Sequence, residues 1–210
     1  MSTVTNELAR LGAATVYEAS GREGLIDADL IPVVPGARAC GPARIARCGQ
    51  DDNLMVHAAM AALRPGEVLV LTMPEPAPVA LLGDLLATQA LVHGAAGVLV
   101  DAAVRDCADL EELGLPVWAR WVRSRGATKD VVGALDVPVV VGGARIRPGD
   151  LVVLDADGGT VVAQERADEV LGASLAREAK ERDKREKLRA GELSYELDGL
   201  RAVVEGTPSS

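Results

Sequence analysis

Two short runs, EVLVLT at residues 67–72 and GVLVD at 97–101, constrain the fold more than any other feature of the chain. Each is aliphatic on both faces of an extended backbone. That pattern suits strands buried on two sides, as in a parallel sheet covered by helices. Between them, DLLATQALVH at residues 84–93 has helical spacing and is closed by Gly94. The result is a strand-helix-strand unit. It repeats more loosely as a helix from Asp106 or Asp109 to Leu113, then PVWARW, then VPVVV at 137–141. The fold class expected is α/β. The segment MPEPAPVALLG, with three prolines, is expected to be a loop delivering the chain to Gly83-Asp84.

The flanks are more irregular. Residues Asn6 to Leu11 and Ala14 to Ser20 read as helical turns interrupted at Gly12. GARACGPARIARCG, from Gly36, alternates like a strand and is expected to bend at Gly41-Pro42 into two short strands. Asp51 or Asp52 can cap a helix over DNLMVHAAMAAL. RIRPGDLVVLDADGGTVVA reads as strands joined by tight turns. A helix from about Ala167 becomes AREAKERDKREKLRAGE, polar nearly all round, so it is either solvated or leans on another chain.

A chain of 210 residues suits one domain with appendages. Aromatics are 2% of the residues and Phe is absent, so Val, Leu and Ala must fill the core. A formal net charge of -9 argues against a nucleic-acid partner. An acidic ligand would need locally concentrated arginines or a metal ion. Cys40, Cys48 and Cys107 are odd in number and lack C-x-x-C spacing, which indicates neither a disulfide framework nor a zinc site and fits a reducing cytoplasm. The N-terminal segment lacks the basic start and apolar run of a signal peptide, and no apolar run approaches the roughly 18–20 residues of a membrane span.

Phosphate-loop, dinucleotide, zincin and nucleophile-elbow motifs are missing. His57, in an apolar helix, and His93, before Gly94, read as packing and capping residues. The lysines are Lys129, Lys180, Lys184 and Lys187, three of them in the charged helix, which argues against Schiff-base chemistry in a desolvated pocket. What remains is GDLL at 83–86 and VRD at 104–106. The first places a carboxylate and free N–H groups at a helix start. The second follows a parallel strand, where open α/β sheets put their ligands. Arg105 supplies a two-pronged donor for a carboxylate, and Asp106 an oxygen for a hard metal. Alone, the pair reads equally as a surface ion pair or a helix cap.

GDLLAT followed by GVLVDAAVRD resembles the class II pyruvate aldolases known as 4-hydroxy-4-methyl-2-oxoglutarate/4-carboxy-4-hydroxy-2-oxoadipate aldolases. LARLGAATVYEASGREGLID, LPVWAR, the RPGD turn at 147–150, DADG at 155–158 and AREAKERDKREKLRAGELS are also similar, so the likeness runs from about residue 8 to 200. It implies a layered α-β-β-α sandwich over residues 1–165 and a charged helix and tail over 166–210 that reaches a neighbouring subunit of a homotrimer or homohexamer. It implies Asp106 as the ligand of Mg2+ or Mn2+, with Asp84 holding waters of that ion. Arg105 would grip a small 2-oxo acid substrate, with Gly83 and the Leu85 and Leu86 amides at its carboxylate. Glu18 matches an active-site glutamate, and Glu181, or Glu178, the glutamate from a neighbouring subunit. The implied reaction is aldol cleavage of a 4-hydroxy-2-oxo acid to pyruvate and an oxo acid, with oxaloacetate decarboxylation at the same site. The competing expectation is a non-enzymatic regulator of a ribonuclease. Methyl transfer to a quinone finds no glycine-rich cofactor loop to support it.

Overall fold

The computed structural model describes residues 3–206. Packing divides the chain between Ser174 and Leu175, and the first unit holds every strand among the described residues. Helices α1 (Thr3–Leu11) and α2 (Ala13–Ala19) are separated by Gly12 at φ +86, a backbone state that glycine adopts freely. Strands β1 (Leu25–Ile26), β2 (Ile31–Pro32) and β3 (Ala39–Arg47) follow, then helix α3 (Leu54–Ala62). Strand β4 (Val68–Thr72), β5 (Ala80–Leu82), helix α4 (Asp84–Val92), β6 (Gly97–Val104), helix α5 (Cys107–Leu113) and β7 (Val117–Val122) form the middle of the chain. Strands β8 (Ala134–Leu135), β9 (Val139–Val141), β10 (Ala144–Ile146), β11 (Leu151–Asp155) and β12 (Gly158–Val162) precede helix α6 (Ala167–Arg189).

The main sheet runs β1-β12-β11-β3-β4-β6-β7-β2, with β5 beside β6 and β8 beside β3. The parallel part is β3, β4, β6 and β7, as the aliphatic runs require. Alternate residues of these strands serve two different cores. Leu69, Leu71, Val98, Val100, Val117 and Ala119 pack under α3, α4 and α5. Val68, Val70, Leu99 and Trp118 face the other way, against Val152 and Leu154 of β11 and the β9-β10 hairpin. Leu151 and Val153 then face outward onto Leu8, Val16 and Val170 of the terminal helices. The layers are therefore α-β-β-α, each bounded by the period of two along the strands.

Four local expectations change. β3 is one continuous strand, and Gly41-Pro42 marks a change of partner instead of a bend: Ala39–Pro42 pair antiparallel with β11 and Ala43–Arg47 parallel with β4. The proline-rich segment ends at Pro78, so Ala80–Leu82 are free to join the sheet as buried β5. VPVVV does not extend the parallel sheet; Val139 and Val141 are buried while Val140 is exposed, and the strand pairs with β10 as a cover over the inner core. β6 runs past Asp101 to Val104, and Arg120 of β7 pairs with that buried carboxylate. Burial pushes the Asp101 carboxyl up, and Arg120 opposes the shift.

The second unit comprises the later turns of α6 with α7 (Ser194–Leu197) and α8 (Leu200–Glu205). Ion pairs hold it: Arg177 with Glu181 at 2.8 Å, Lys184 with Asp198 at 2.6 Å, and Arg201 with Glu196 and Glu205. Leu193 and Val204 are exposed there. No helix among the described residues is long and apolar enough to cross a membrane.

Gly41 is required by space: a Cβ there would lie 2.2 Å from the Gly66 carbonyl oxygen, a backbone atom that cannot swing away. Gly41→Ala is expected to destabilise the fold by about 2 kcal/mol, lowering Tm by roughly 4–8 °C in thermal unfolding. An unchanged Tm would contradict this reading of β3.

Candidate active site

The ends of β5 and β6 lie side by side, and the Arg105 N–H donates to the Leu82 carbonyl at 3.1 Å. That bond sets the start of α4 against the Arg105-Asp106 dipeptide that opens α5. Asp106 takes a left-handed backbone, φ 60 and ψ 41, a state open to aspartate at modest cost. Its Oδ2 accepts the Asp84 N–H at 3.3 Å and lies 3.3 Å from Arg105 Nε. Gly83 has an ordinary extended backbone at φ -139, so its requirement for glycine is again space. A Cβ at Gly83 would lie 2.5 Å from Asp106 Oδ2 and 3.0 Å from Arg105 Nε; one at Gly126 would lie 2.9 Å from Arg105 Nη1. The two glycines leave a slot in which the guanidinium rests.

A cleft of about 130 Å³ opens beside this pair. Gly83, Asp84, Leu85, Leu86 and Arg105 line it, and the amides of Leu85 and Leu86 belong to the first turn of α4, whose N–H groups lack intrahelical acceptors. Asp106 borders an adjoining hollow with Arg105, Arg123 and Ser124. Glu18 is not among the lining residues; it lies near the end of α2, 3.2 Å from Arg22. Glu181 and Glu178 belong to α6, where Glu181 pairs with Arg177.

Among the described residues, no three His, Cys, Asp or Glu side chains converge as a protein-only metal cage. Asp106, with Asp84 close by, matches a different type of site. Mg2+ and Mn2+ are hard ions, and Mg2+ commonly keeps several waters and takes only one or two carboxylates plus substrate oxygens. Cys107, next to Asp106, is no competing nucleophile: burial and the Asp106 charge push its thiol up, away from the thiolate.

Three lining residues escaped the sequence reading. Asn53 was not singled out, His57 is exposed at the cleft instead of packed inside its helix, and Lys129, set aside for Schiff-base chemistry, also lines the cleft. Their common support is Asp52, whose side chain is fully buried. Its Oδ1 accepts the Leu54 N–H at 2.8 Å, and its Oδ2 accepts from Thr128 Oγ1 at 2.7 Å, Asp130 N at 2.6 Å and Val131 N at 3.1 Å. The loop carrying Lys129 is thereby fastened to the start of α3. Burial raises the Asp52 carboxyl, but these four bonds together outweigh it and hold the group at about 2. The sequence offered Asp52 as a helix cap; nothing in its periodicity reported the second partner, which lies 76 residues away.

The family model described as RraA-like, Aldolase/RraA, matches residues 13–162. A protein of Halalkalibacterium halodurans, provisionally named a 4-hydroxy-4-methyl-2-oxoglutarate aldolase, is 33% identical over 83% of this chain and 80% of its own. A Burkholderia multivorans protein with the same provisional name is 37% identical over 69% of this chain and 88% of its own. The crystal structure of a Streptomyces coelicolor protein, described as an unusual member of the RNase ES inhibitor RraA protein family, superposes with a TM-score of 0.77 at 31% identity, covering 88% of this chain and 96% of that one. The chain belongs to the RraA-like family.

Because the Asp52 carboxyl is held below its ordinary value of 3.8, the stabilisation it brings is present above about pH 4 and lost as the pH falls toward 2. Asp52→Asn is expected to lower Tm by roughly 4–8 °C at pH 7, and the gap from the parent protein should narrow between pH 4 and 2. A gap constant over that range would show that the charge of Asp52 does not hold the loop.

Proposed function

We propose that this chain is a divalent-metal-dependent pyruvate aldolase that cleaves 4-hydroxy-2-oxo acids and decarboxylates oxaloacetate at the same site. One observation carries the reading: a strand end and a helix start place an arginine fork, the Asp84 carboxylate and the first-turn amides of α4 around one cleft, with Asp106 against the same arginine in the adjoining hollow. The names of two relatives point the same way.

In the cleavage, the C3–C4 bond breaks, its electron pair passes to the pyruvate fragment as an enolate, and the C4 hydroxyl loses its proton as C4 becomes a carbonyl. Catalysis requires that the developing charge be held more tightly than the ground-state oxo group. The Leu85 and Leu86 amides orient the substrate carboxylate at the helix N-terminus. Arg105, fixed in its slot between Gly83 and Gly126, adds charge-assisted hydrogen bonds of about 1.5–3 kcal/mol where the charge develops. Asp106 would hold Mg2+ or Mn2+, with Asp84 ordering the waters around it. When bound, the ion supplies a Lewis acid for the 2-oxo group. Oxaloacetate decarboxylation passes through the same pyruvate enolate, so the same groups serve it.

The working form in this reading is a cytoplasmic homotrimer or homohexamer in which Glu18 serves the active site and Glu181, or Glu178, completes the site of a neighbour. The charged second half of α6 and the exposed Leu193 and Val204 favour such contacts. The second reading, a ribonuclease regulator without catalysis, is favoured by the Streptomyces coelicolor relative. Pyruvate release separates the two.

A coupled assay with oxaloacetate and 4-hydroxy-2-oxo acids is expected to show turnover with Mg2+ or Mn2+ and none with a chelator. Arg105→Lys should lower both reactions by about 100-fold, since a point charge cannot replace the planar fork; loss of only one would refute a shared site. Gly83→Ala, which the backbone tolerates, should leave Tm nearly unchanged yet reduce kcat to a similar degree by displacing Arg105 and Asp106. Truncation after Leu175 is expected to abolish turnover and weaken assembly in light-scattering measurements, and an intact, active oligomer would refute the role given to the second unit.

A further inference from the structure

Strand β6 is buried along its whole length, and its only charged residue is Asp101. A strand covered on both faces is ordinarily aliphatic, and a carboxylate is costly to bury there. Arg120 of β7 answers it: the guanidinium Nε donates to Asp101 Oδ1, and the two side chains are 4% and 22% exposed, Asp101 the less. Such a pair adds little net stability over apolar side chains of similar size, because both charges lose their water; where one is retained, it can serve instead to hold a single register.

The register at this point is irregular. Val100 pairs with Ala119 and Ala103 with Trp121, so two residues of β6, Asp101 and Ala102, stand opposite Arg120 alone. This is a β-bulge, uncommon between parallel strands, and a bulge bends and twists the strand that carries it. β6 changes its other neighbour at the same place: β4 accompanies it as far as Val100, and β5 from Ala103 onward. On β4 the next residue, Thr72, is buried, and its hydroxyl has no hydrogen-bond partner among the described residues. The ladder to β4 thus ends where the ladder to β7 slips, and the ion pair bridges the slip. Beyond it the backbone is fixed again: the Ala103 N–H donates to Val79 O at 3.1 Å, the Arg123 N–H to Val104 O at 2.9 Å and the Arg105 N–H to Leu82 O at 3.1 Å. Arg105 and Asp106 are the first residues after β6, so the direction in which they leave the sheet depends on the bulge.

We propose that the Asp101–Arg120 pair is a positioning device: it holds the bulge of β6 and thereby sets the aim of Arg105 and Asp106 at the candidate active site. Neither member lines the cleft or the hollow beside it. Without the pair, β6 can relax against β7 toward an unbroken ladder, and a slip of one residue redirects every side chain that follows. The inference rests on the aldolase reading for the work that Arg105 and Asp106 perform, but the positioning itself is measurable without turnover.

The double variant Asp101→Leu with Arg120→Met replaces the pair by apolar groups and leaves no buried charge, so its Tm should differ little from the parent's. Hydrogen exchange of the ligand-free protein should then show the Arg105 and Asp84 amides exchanging faster by about 10-fold or more, with the Val98 and Leu99 amides, ahead of the bulge, unchanged. In the coupled pyruvate assay kcat should fall by roughly 10- to 100-fold. KM should change much less, because the Leu85 and Leu86 amides that hold the ground-state carboxylate belong to α4. Asp101→Asn keeps an acceptor for Arg120 Nε and should retain most of the parent's protection and kcat. Unchanged exchange at Arg105, protection lost evenly along β6, or an unchanged kcat in the double variant overturns the proposal. If the parent releases no pyruvate from any acid, the aldolase reading fails, and the exchange pattern alone decides whether the pair positions Arg105 and Asp106.

Discussion

Strand β3 is the constraint on which the rest of the molecule depends. By pairing antiparallel with β11 along its first half and parallel with β4 along its second, it joins two sheet layers through one backbone. Either layer alone would leave an aliphatic face in water; together they enclose the core containing Ile45, Val70, Leu99, Trp118 and Val152. The change of partner falls at Gly41-Pro42, where proline has no N–H to offer and glycine lets the Gly66 carbonyl approach. The parallel strands are then held in a fixed order, and their C-terminal ends must share one edge. That edge is where Arg105, Asp106 and Asp84 meet.

The positions of these three side chains follow from backbone bonds more than from their mutual attraction. Arg105 and Asp106 are partly exposed, and an ion pair of that kind contributes little to stability. The Arg105 N–H to Leu82 bond and the Asp84 N–H to Asp106 bond fix the two helix starts instead. A site built this way engages Asp106 Oδ2 in the scaffold and leaves the Asp84 carboxylate and the exposed part of the Arg105 guanidinium for a ligand.

The parallel sheet was legible because strands buried on both sides must be aliphatic throughout, and the chain contains few ways to satisfy that. GDLL and VRD were legible as chemistry for a related reason: helix starts and strand ends have orphan backbone groups with a known direction. The β9-β10 cover was not, since VPVVV reads equally as a strand buried on one face or on two until its neighbours are known. Nor were Asn53 and Lys129, because their placement depends on Asp52 reaching across to Thr128, a long-range contact that leaves no local pattern. His57 was misplaced by a helix so rich in alanine and methionine that its exposed side looks apolar.

The charge of the cleft bears on how an acidic chain could receive an acidic ligand. Arg105, Lys129 and Arg123 line the cleft and its adjoining hollow with Asp84 and Asp106, so these groups carry one net positive charge while the whole chain carries -9. A dianionic substrate entering such a site would leave an excess of one negative charge in a partly dry volume, where unscreened charge is costly. In the aldolase reading, a divalent cation at Asp106 would offset that excess. The substrate and the ion would therefore bind with positive linkage, each more tightly in the presence of the other. In this reading Asp84 and Asp106 repel the substrate in the absence of the ion and help to recruit it once the ion is present, and the need for a metal follows from the charge balance as much as from the reaction.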